Sequence, residues 1–187
     1  MEFNSKVLHI DNIENTSYKI QEFIKNQLNN FKRRGIVIGL SGGIDSAVTV
    51  SLCVKAIGKD KVLGVMMPER DSNPASKNYA ELLAKKLGIR TELIDLTKIL
   101  DSFSVYQTRD SIVKKNFKPF NNSCKYRLVI QNDILEKDHI AIPFLEVLDT
   151  TKTIHKIKLS LEDYLSITAA TTLKLRARMT MLYFLAE

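Results

Sequence analysis

The stretch GIVIGLSGGIDSAV, residues 35–48, decides the fold of this 187-residue chain. It opens with residues 35–40, a short β-branched apolar run that is typical of a strand buried on both faces of a sheet. The glycine-rich turn SGGID follows, and residues 46–57 form a helical pattern that ends at Gly58, in the position that a C-cap glycine favours. The order strand, turn, helix predicts one βα unit of an α/β protein.

The same unit repeats along the chain. KVLGVMMP, residues 61–68, is typical of a second buried strand, residues 75–87 of a helix, and TELIDL, residues 91–96, of a third strand. The three strands begin near residues 36, 62 and 91, which are 26 to 29 residues apart. Strands joined by helices at this spacing lie parallel in one sheet. We therefore predict an α/β fold with a doubly wound parallel sheet.

Helical patterns also flank these repeats. Apolar residues recur at helical spacing over residues 16–32, which predicts an amphipathic helix with Thr16 or Ser17 as its cap. Further helices are predicted over residues 98–115, 161–167 and 169–186.

The segment at about residues 116–160 differs because its apolar residues alternate. YRLVIQ, HIAIPFLEVL and TIHKIKL are typical of antiparallel strands, with turns near residues 132–138 and 149–152. We predict a small antiparallel β insertion here, carried by a single domain that covers residues 1–187.

The turn after the first strand is suited to binding an anion. Glycines let the backbone approach a ligand closely, and the following helix offers unpaired N–H groups and a partial positive charge. A Walker A loop is excluded because no lysine follows the glycines, and Gly39, Gly42 and Gly43 lack the spacing of a dinucleotide fingerprint.

The remaining residues of the turn indicate a phosphate ligand with a cation. The hydroxyls of Ser41 and Ser46 can reach phosphate oxygens, while Gly42 and Gly43 leave room for them. Asp45 would repel a phosphate unless a cation lies between them, so we assign it a role in holding Mg²⁺. The alternative is that Asp45 and Ser46 only cap the helix.

SGGIDSAV resembles the signature of the N-type ATP pyrophosphatases, whose fold is Rossmann-like, of the adenine nucleotide alpha-hydrolase type. VLGVMMPERDSNPAS with YAELLAKKLGI, and later LKLRARMTMLYFLAE, resemble the ammonia-dependent NAD synthetases within that superfamily. The likeness covers roughly residues 17–100 and 160–187. It implies a homodimeric enzyme that uses ATP and Mg²⁺ to adenylate the nicotinate carboxylate of deamido-NAD and then amidates it with ammonia.

The resemblance also implies roles for particular residues. Asp45 and Ser46 would be catalytic, with Asp45 holding the metal. Arg176 and Arg178 point to different sides of their helix, and we prefer Arg178 as the ligand. The nucleotide contacts would be Gly39, Leu40, Ser41, Gly42, Gly43, Asp45, Ser46, Met67 and Arg178.

The chain also departs from the family. Thr172 stands where members usually have Asn, Leu175 where they have Ala, and the β insertion is longer than the usual connection. Members continue past the last residue, so we expect a domain that is incomplete at its C-terminus. Two alternatives stay open: an adenylating amidotransferase for another carboxylate or carbonyl acceptor, and a non-catalytic nucleotide-binding module.

Composition excludes several classes of protein. No apolar run approaches the ~20 residues that span a bilayer. The net charge is +7, but the Lys and Arg residues are scattered, so we expect a solvated surface and no nucleic-acid partner.

Cys53 and Cys124 match no metal spacing and are expected to be free thiols in a reducing cytoplasm. His9, His139 and His155 are isolated and are expected to be structural or surface residues.

Overall fold

The parallel sheet forms as the strand spacing predicts. In the computed structural model, which describes residues 9–121, 123–130 and 143–187, it contains β1 (Ile36–Gly39), β2 (Val62–Met66) and β3 (Arg90–Leu93). The strands lie in the order β1-β2-β3, and both neighbouring pairs are parallel. The α/β class with a parallel sheet is therefore confirmed.

Six α-helices are found among the described residues: α1 (Ile13–Asn30), α2 (Ile44–Ile57), α3 (Pro74–Leu87), α4 (Thr97–Ser102), α5 (Val105–Asn116) and α6 (Leu161–Ala186). A short 3₁₀ turn, Lys59–Lys61, connects α2 to β2. None of the described helices combines the length and the apolarity needed to cross a membrane.

The described chain divides into two compact units. The first consists of the residues up to Thr97 together with Arg178–Glu187, and the second of Lys98–Ala177. The core of the first unit is formed where α2 and α3 pack on the parallel sheet, and its buried members are Leu40, Val50, Cys53, Val62, Met66, Ala80, Ala84 and Ile89. The single-domain assignment stays a prediction.

The second unit contains the predicted antiparallel sheet. Its strands are β4 (Lys125–Ile130), β5 (Pro143–Leu148) and β6 (Ile154–Lys158), in that order. One face of the sheet is buried against α5 and α6, in a core of Ile112, Val113, Cys124, Leu145, Val147, Leu159 and Ile167. The predicted turn near residues 132–138 lies outside the described residues.

The turn between β5 and β6 is held by a carboxylate. One Asp149 oxygen accepts hydrogen bonds from the backbone N–H of Thr151 and Thr153 and from the Thr151 hydroxyl, at 2.7–2.9 Å. The other oxygen lies 2.7 Å from Nε2 of His155, whose ring packs against Phe117 in a tilted arrangement. The hydrogen bonds from Thr151, His155 and Thr153 hold the pKa of the Asp149 carboxyl well below its usual value. His155 is thus a satisfied structural histidine, as expected.

Several predicted element details were wrong. Asn12, not Thr16 or Ser17, caps α1, and its side chain accepts the Asn15 N–H at 2.8 Å. The helix predicted over residues 98–115 is broken into α4 and α5 because Ser104 adopts a left-handed conformation with φ of 55°. The helices predicted over residues 161–167 and 169–186 form one continuous helix.

The predicted burial is confirmed for the second strand and is wrong for the first, and no burial was predicted for the third. β2 is almost wholly buried, whereas β1 is half-buried and β3 is exposed along its length. The difference follows from position, because β2 is the central strand and the other two lie at the edges of the described sheet. Cys53 and Cys124 are both free and buried, so the expectation of free thiols is confirmed.

Candidate functional site

The candidate site is the loop that joins β1 to α2, residues 39–46. The parallel ladder continues one residue past β1, since the Leu40 N–H donates to the carbonyl of Val65 at 2.8 Å. The Leu40 side chain is buried in the core of the first unit. The loop is therefore anchored at its start, at the carboxyl end of a parallel strand, where ligands bind in open α/β sheets.

Gly42 forms the tip of this loop and approaches another element closely. Its φ is +76°, a conformation that residues with a side chain rarely adopt. A Cβ at this position would lie 2.9 Å from both the Cα and the carbonyl carbon of Ser76, and would collide with the Ser76 carbonyl oxygen. Ser76 is in the first turn of α3. Only glycine fits here, for both reasons.

Two serine hydroxyls fix the shape of the loop. Ser46 Oγ donates to the Gly43 carbonyl at 2.9 Å and accepts the Ser41 N–H at 3.3 Å. Ser41 Oγ accepts the Gly43 N–H at 3.2 Å and lies 3.1 Å from Ser46 Oγ. Because a hydroxyl has one proton, and that of Ser46 is used on Gly43, the proton between the serines belongs to Ser41. Ser41 can redirect this proton to a ligand without breaking the bond to Gly43.

The N-terminus of α2 presents unpaired backbone donors. Gly43 is the N-cap and makes no side-chain capping bond. The N–H groups of Ile44, Asp45 and Ser46 have no acceptor within the part of the chain that the structure describes. The alternative that Asp45 and Ser46 merely cap the helix is therefore wrong. These amides, with the Ser41 hydroxyl, form a donor set that fits a phosphate group.

Asp45 lies in the first turn of α2 and is exposed. No group of three or more His, Cys, Asp or Glu residues that could hold a metal ion occurs among the described residues. The assignment of Mg²⁺ to Asp45 stays a prediction.

Met67 and the last helix lie beside the start of the loop. Met67 is buried, and its Cε would be 3.3 Å from a Cβ at Gly39. Leu182 Cδ1 would be 3.7 Å from the same position. Arg178 precedes Leu182 by one helical turn and so shares its face of α6, and it is half-buried, whereas Arg176 is exposed.

The structure thus brings together the predicted residues of the loop and Met67. It places Arg178 on the helix face that contacts Gly39. Two contributors, Ser76 and Leu182, were not predicted from the sequence. They lie close to the loop because distant parts of the chain pack together. No local sequence pattern predicts that proximity.

Residues 16–140 match the family model described as NAD synthase. The chain belongs to the NAD synthase family. The family match includes the whole βαβαβ segment and the serine- and glycine-rich loop.

Individual relatives agree with this assignment. The chain is 38% identical over 87% of its length to an NH(3)-dependent NAD(+) synthetase of Mesorhizobium japonicum, covering 51% of that protein. It is 38% identical over 88% of its length to the protein of the same name from Thermotoga maritima, covering 53% of it. The chain therefore spans about half the length of the curated relatives it matches.

A solved structure is also similar. It is an NH3-dependent NAD synthetase from Campylobacter jejuni in complex with the nitrate ion, 29% identical, with a TM-score of 0.46 over 59% of this chain and 54% of that chain.

Proposed function

We propose that this chain supplies the ATP-binding part of an enzyme that makes NAD from deamido-NAD, ATP and ammonia. The loop of residues 39–46 would hold the two phosphates that leave ATP as pyrophosphate. Family membership and the names of the relatives support the reaction. The acceptor and the nucleophile are taken from the resemblance.

One observation carries the proposal: the unpaired N–H groups of Ile44, Asp45 and Ser46 point out of a helix N-terminus beside the Ser41 hydroxyl. The tip of the loop is shaped by a glycine in a positive-φ conformation. Unpaired backbone donors at a helix N-terminus bind phosphate oxygens.

The chemistry explains why pyrophosphate must be gripped. A carboxylate resists attack by ammonia because it is negatively charged and oxide is a poor leaving group. In the first step a nicotinate carboxylate oxygen attacks the α-phosphorus of ATP, the bond to the bridging oxygen of the β-phosphate breaks, and pyrophosphate leaves. The donors of the loop stabilise the negative charge that develops on the departing group.

In the second step ammonia attacks the carbonyl carbon of the acyl adenylate. AMP leaves with the bonding electron pair, and the nitrogen loses a proton to give the amide. The contribution of the loop is to keep the nucleotide positioned while the reacting groups meet.

The remaining site residues complete the proposal. A bound Mg²⁺ would neutralise charge on the phosphate oxygens, and Asp45 is the carboxylate placed to hold it. Met67, next to Gly39, would contact the adenine. Arg178 would contact a phosphate from the neighbouring face of α6. Ser46 would act mainly by holding the loop, since its proton is used on the Gly43 carbonyl.

The test begins with equilibrium binding of pyrophosphate and of ATP with magnesium to the 187-residue chain, with Gly42→Ala as the control. We expect binding by the natural sequence and its loss in the variant. The chain is then supplied with ATP, deamido-NAD and ammonium, and the formation of NAD and AMP is measured. Nucleotide binding that Gly42→Ala leaves unchanged would contradict the proposed site. AMP release only with another acceptor would favour a different amidotransferase, and binding without turnover a nucleotide-binding module.

A further inference from the structure

The first turn of α3 packs against the tip of the candidate loop. Gly42 lies so close to Ser76 that the backbone atoms of Ser76 occupy the position of a Cβ. The hydrogen bonds of the loop described above all join residues 41–47 or attach Leu40 to β2. The contact with α3 therefore adds a constraint at the tip, where Gly42 is followed by a second glycine, Gly43.

The position of this first turn depends on one side chain, that of Asn73. Asn73 is the N-cap of α3, and its Oδ1 accepts the Ala75 N–H at 3.0 Å. The Ser76 N–H donates to the Asn73 carbonyl at 3.0 Å. Pro74 occupies the first helical position, where its ring favours helix formation but it has no N–H to donate. Removal of the cap would let the first turn fray, and Ser76 lies in that turn.

We propose that Asn73 is a positioning residue for phosphate binding. By capping α3 it holds the Ser76 backbone against Gly42, and this contact keeps the loop in the conformation that presents the α2 amides and the Ser41 hydroxyl. Asn73 acts through Gly42 and does not touch the phosphate in this role. The inference rests on the proposed function for its consequence in binding, but the effect on the loop itself is independent of any ligand.

The chain offers a matched control for this idea. Asn12 caps α1 with the same chemistry, since its Oδ1 accepts the Asn15 N–H at 2.8 Å. Asn73→Ala and Asn12→Ala each remove one asparagine cap, so their effects on thermal stability should be similar. Asn73→Ser keeps a capping oxygen without adding charge and serves as the rescue variant.

Two measurements on the full chain test the proposal. The first is hydrogen exchange without nucleotide, in which Asn73→Ala should accelerate exchange in the peptides that cover residues 41–47 and Asn12→Ala should not. The second is titration with pyrophosphate, for which Asn73→Ala should raise the dissociation constant about threefold or more. Asn12→Ala should leave this constant unchanged, and Asn73→Ser should restore it.

The outcomes separate this inference from the proposed function. Equal loop exchange in the two alanine variants overturns the positioning role, whatever the ligand. Faster loop exchange in Asn73→Ala, in a chain whose natural sequence binds no pyrophosphate, supports the mechanical link and contradicts the proposed function. Pyrophosphate binding by the natural sequence that Asn73→Ala leaves unchanged overturns the positioning role in binding and leaves the proposed function standing.

Discussion

At the scale of single residues, Gly42 is the position where the structure constrains the sequence most. Two independent demands meet there, a positive φ and the absence of a Cβ next to Ser76. Gly58 has a similar φ of +85°, but nothing lies within 4 Å of where its Cβ would be. A side chain at Gly58 would therefore add backbone strain alone, whereas a side chain at Gly42 would add both strain and a steric collision.

Gly42→Ala should lower the free energy of unfolding by more than Gly58→Ala and should abolish pyrophosphate binding. Strain at a positive φ costs about 1–3 kcal/mol in either variant, and displacement of the α3 backbone adds to it only in the first. Denaturant unfolding and calorimetric titration measure the two effects. Equal destabilisation, with binding retained in both variants, would show that the contact with Ser76 does not shape the site.

The two serines of the loop should differ in what their removal does. Ser41→Ala removes the hydroxyl proton available to a ligand, so pyrophosphate affinity should fall about tenfold. It also removes the bonds to the Gly43 N–H and to Ser46 Oγ, but these are exposed and longer, at 3.2 and 3.1 Å, so the loss of stability should be smaller than in Ser46→Ala. Ser46→Ala removes the bond to the Gly43 carbonyl and should also lower the free energy of unfolding by about 1 kcal/mol. If Ser46→Ala weakens binding without any loss of stability, Ser46 is a direct ligand, as the family resemblance implies.

At the scale of elements, the β5–β6 hairpin depends on an ionised carboxylate. The lowered pKa of Asp149 means that the folded state favours its charged form. Its contribution to stability is fully present above the pKa of the unfolded chain, about 4, and is lost progressively as the pH falls from that value towards the lower pKa of the folded state.

Asp149→Asn should therefore lower the melting temperature at pH 6 to 7, and the difference from the natural sequence should shrink as the pH falls below about 4. Thermal unfolding followed by circular dichroism over this range measures it. Asp60→Asn, at an exposed position in the 3₁₀ turn, is the control and should leave the melting temperature nearly unchanged. A difference that stays constant from pH 7 to pH 3 would show that the charge of Asp149 does not stabilise the hairpin.

At the scale of the whole molecule, each compact unit has its own buried leucines. Leu96 in the first unit and Leu145 in the second are both fully buried. Leu96→Ala and Leu145→Ala should each lower the free energy of unfolding by about 2–5 kcal/mol, since each leaves a cavity. Hydrogen exchange should show the lost protection mainly in the unit that carries the substitution. Loss spread evenly over both units in each variant would contradict this expectation and indicate one cooperative core.

Much of the local structure could be predicted from the sequence. Continuous apolar runs, glycines after helices and the regular spacing of the strands identify the βαβαβ segment, because these patterns follow from the period of each element. Alternation likewise predicts the antiparallel strands. The cap of α1 and the break at Ser104 were not predicted, because several polar residues can cap a helix and a left-handed serine leaves no clear pattern.

By itself, the sequence determined the elements, the family and the loop that carries the glycines, the serines and Asp45. All of these are encoded within a few residues of one another, where bond geometry and periodicity act. Only the tertiary structure decided that α3 backs the tip of the loop, that Leu182 and Met67 cover Gly39, and that the edge strands β1 and β3 are more exposed than β2. These features depend on packing between residues that are far apart in the chain. A local sequence pattern therefore does not predict them.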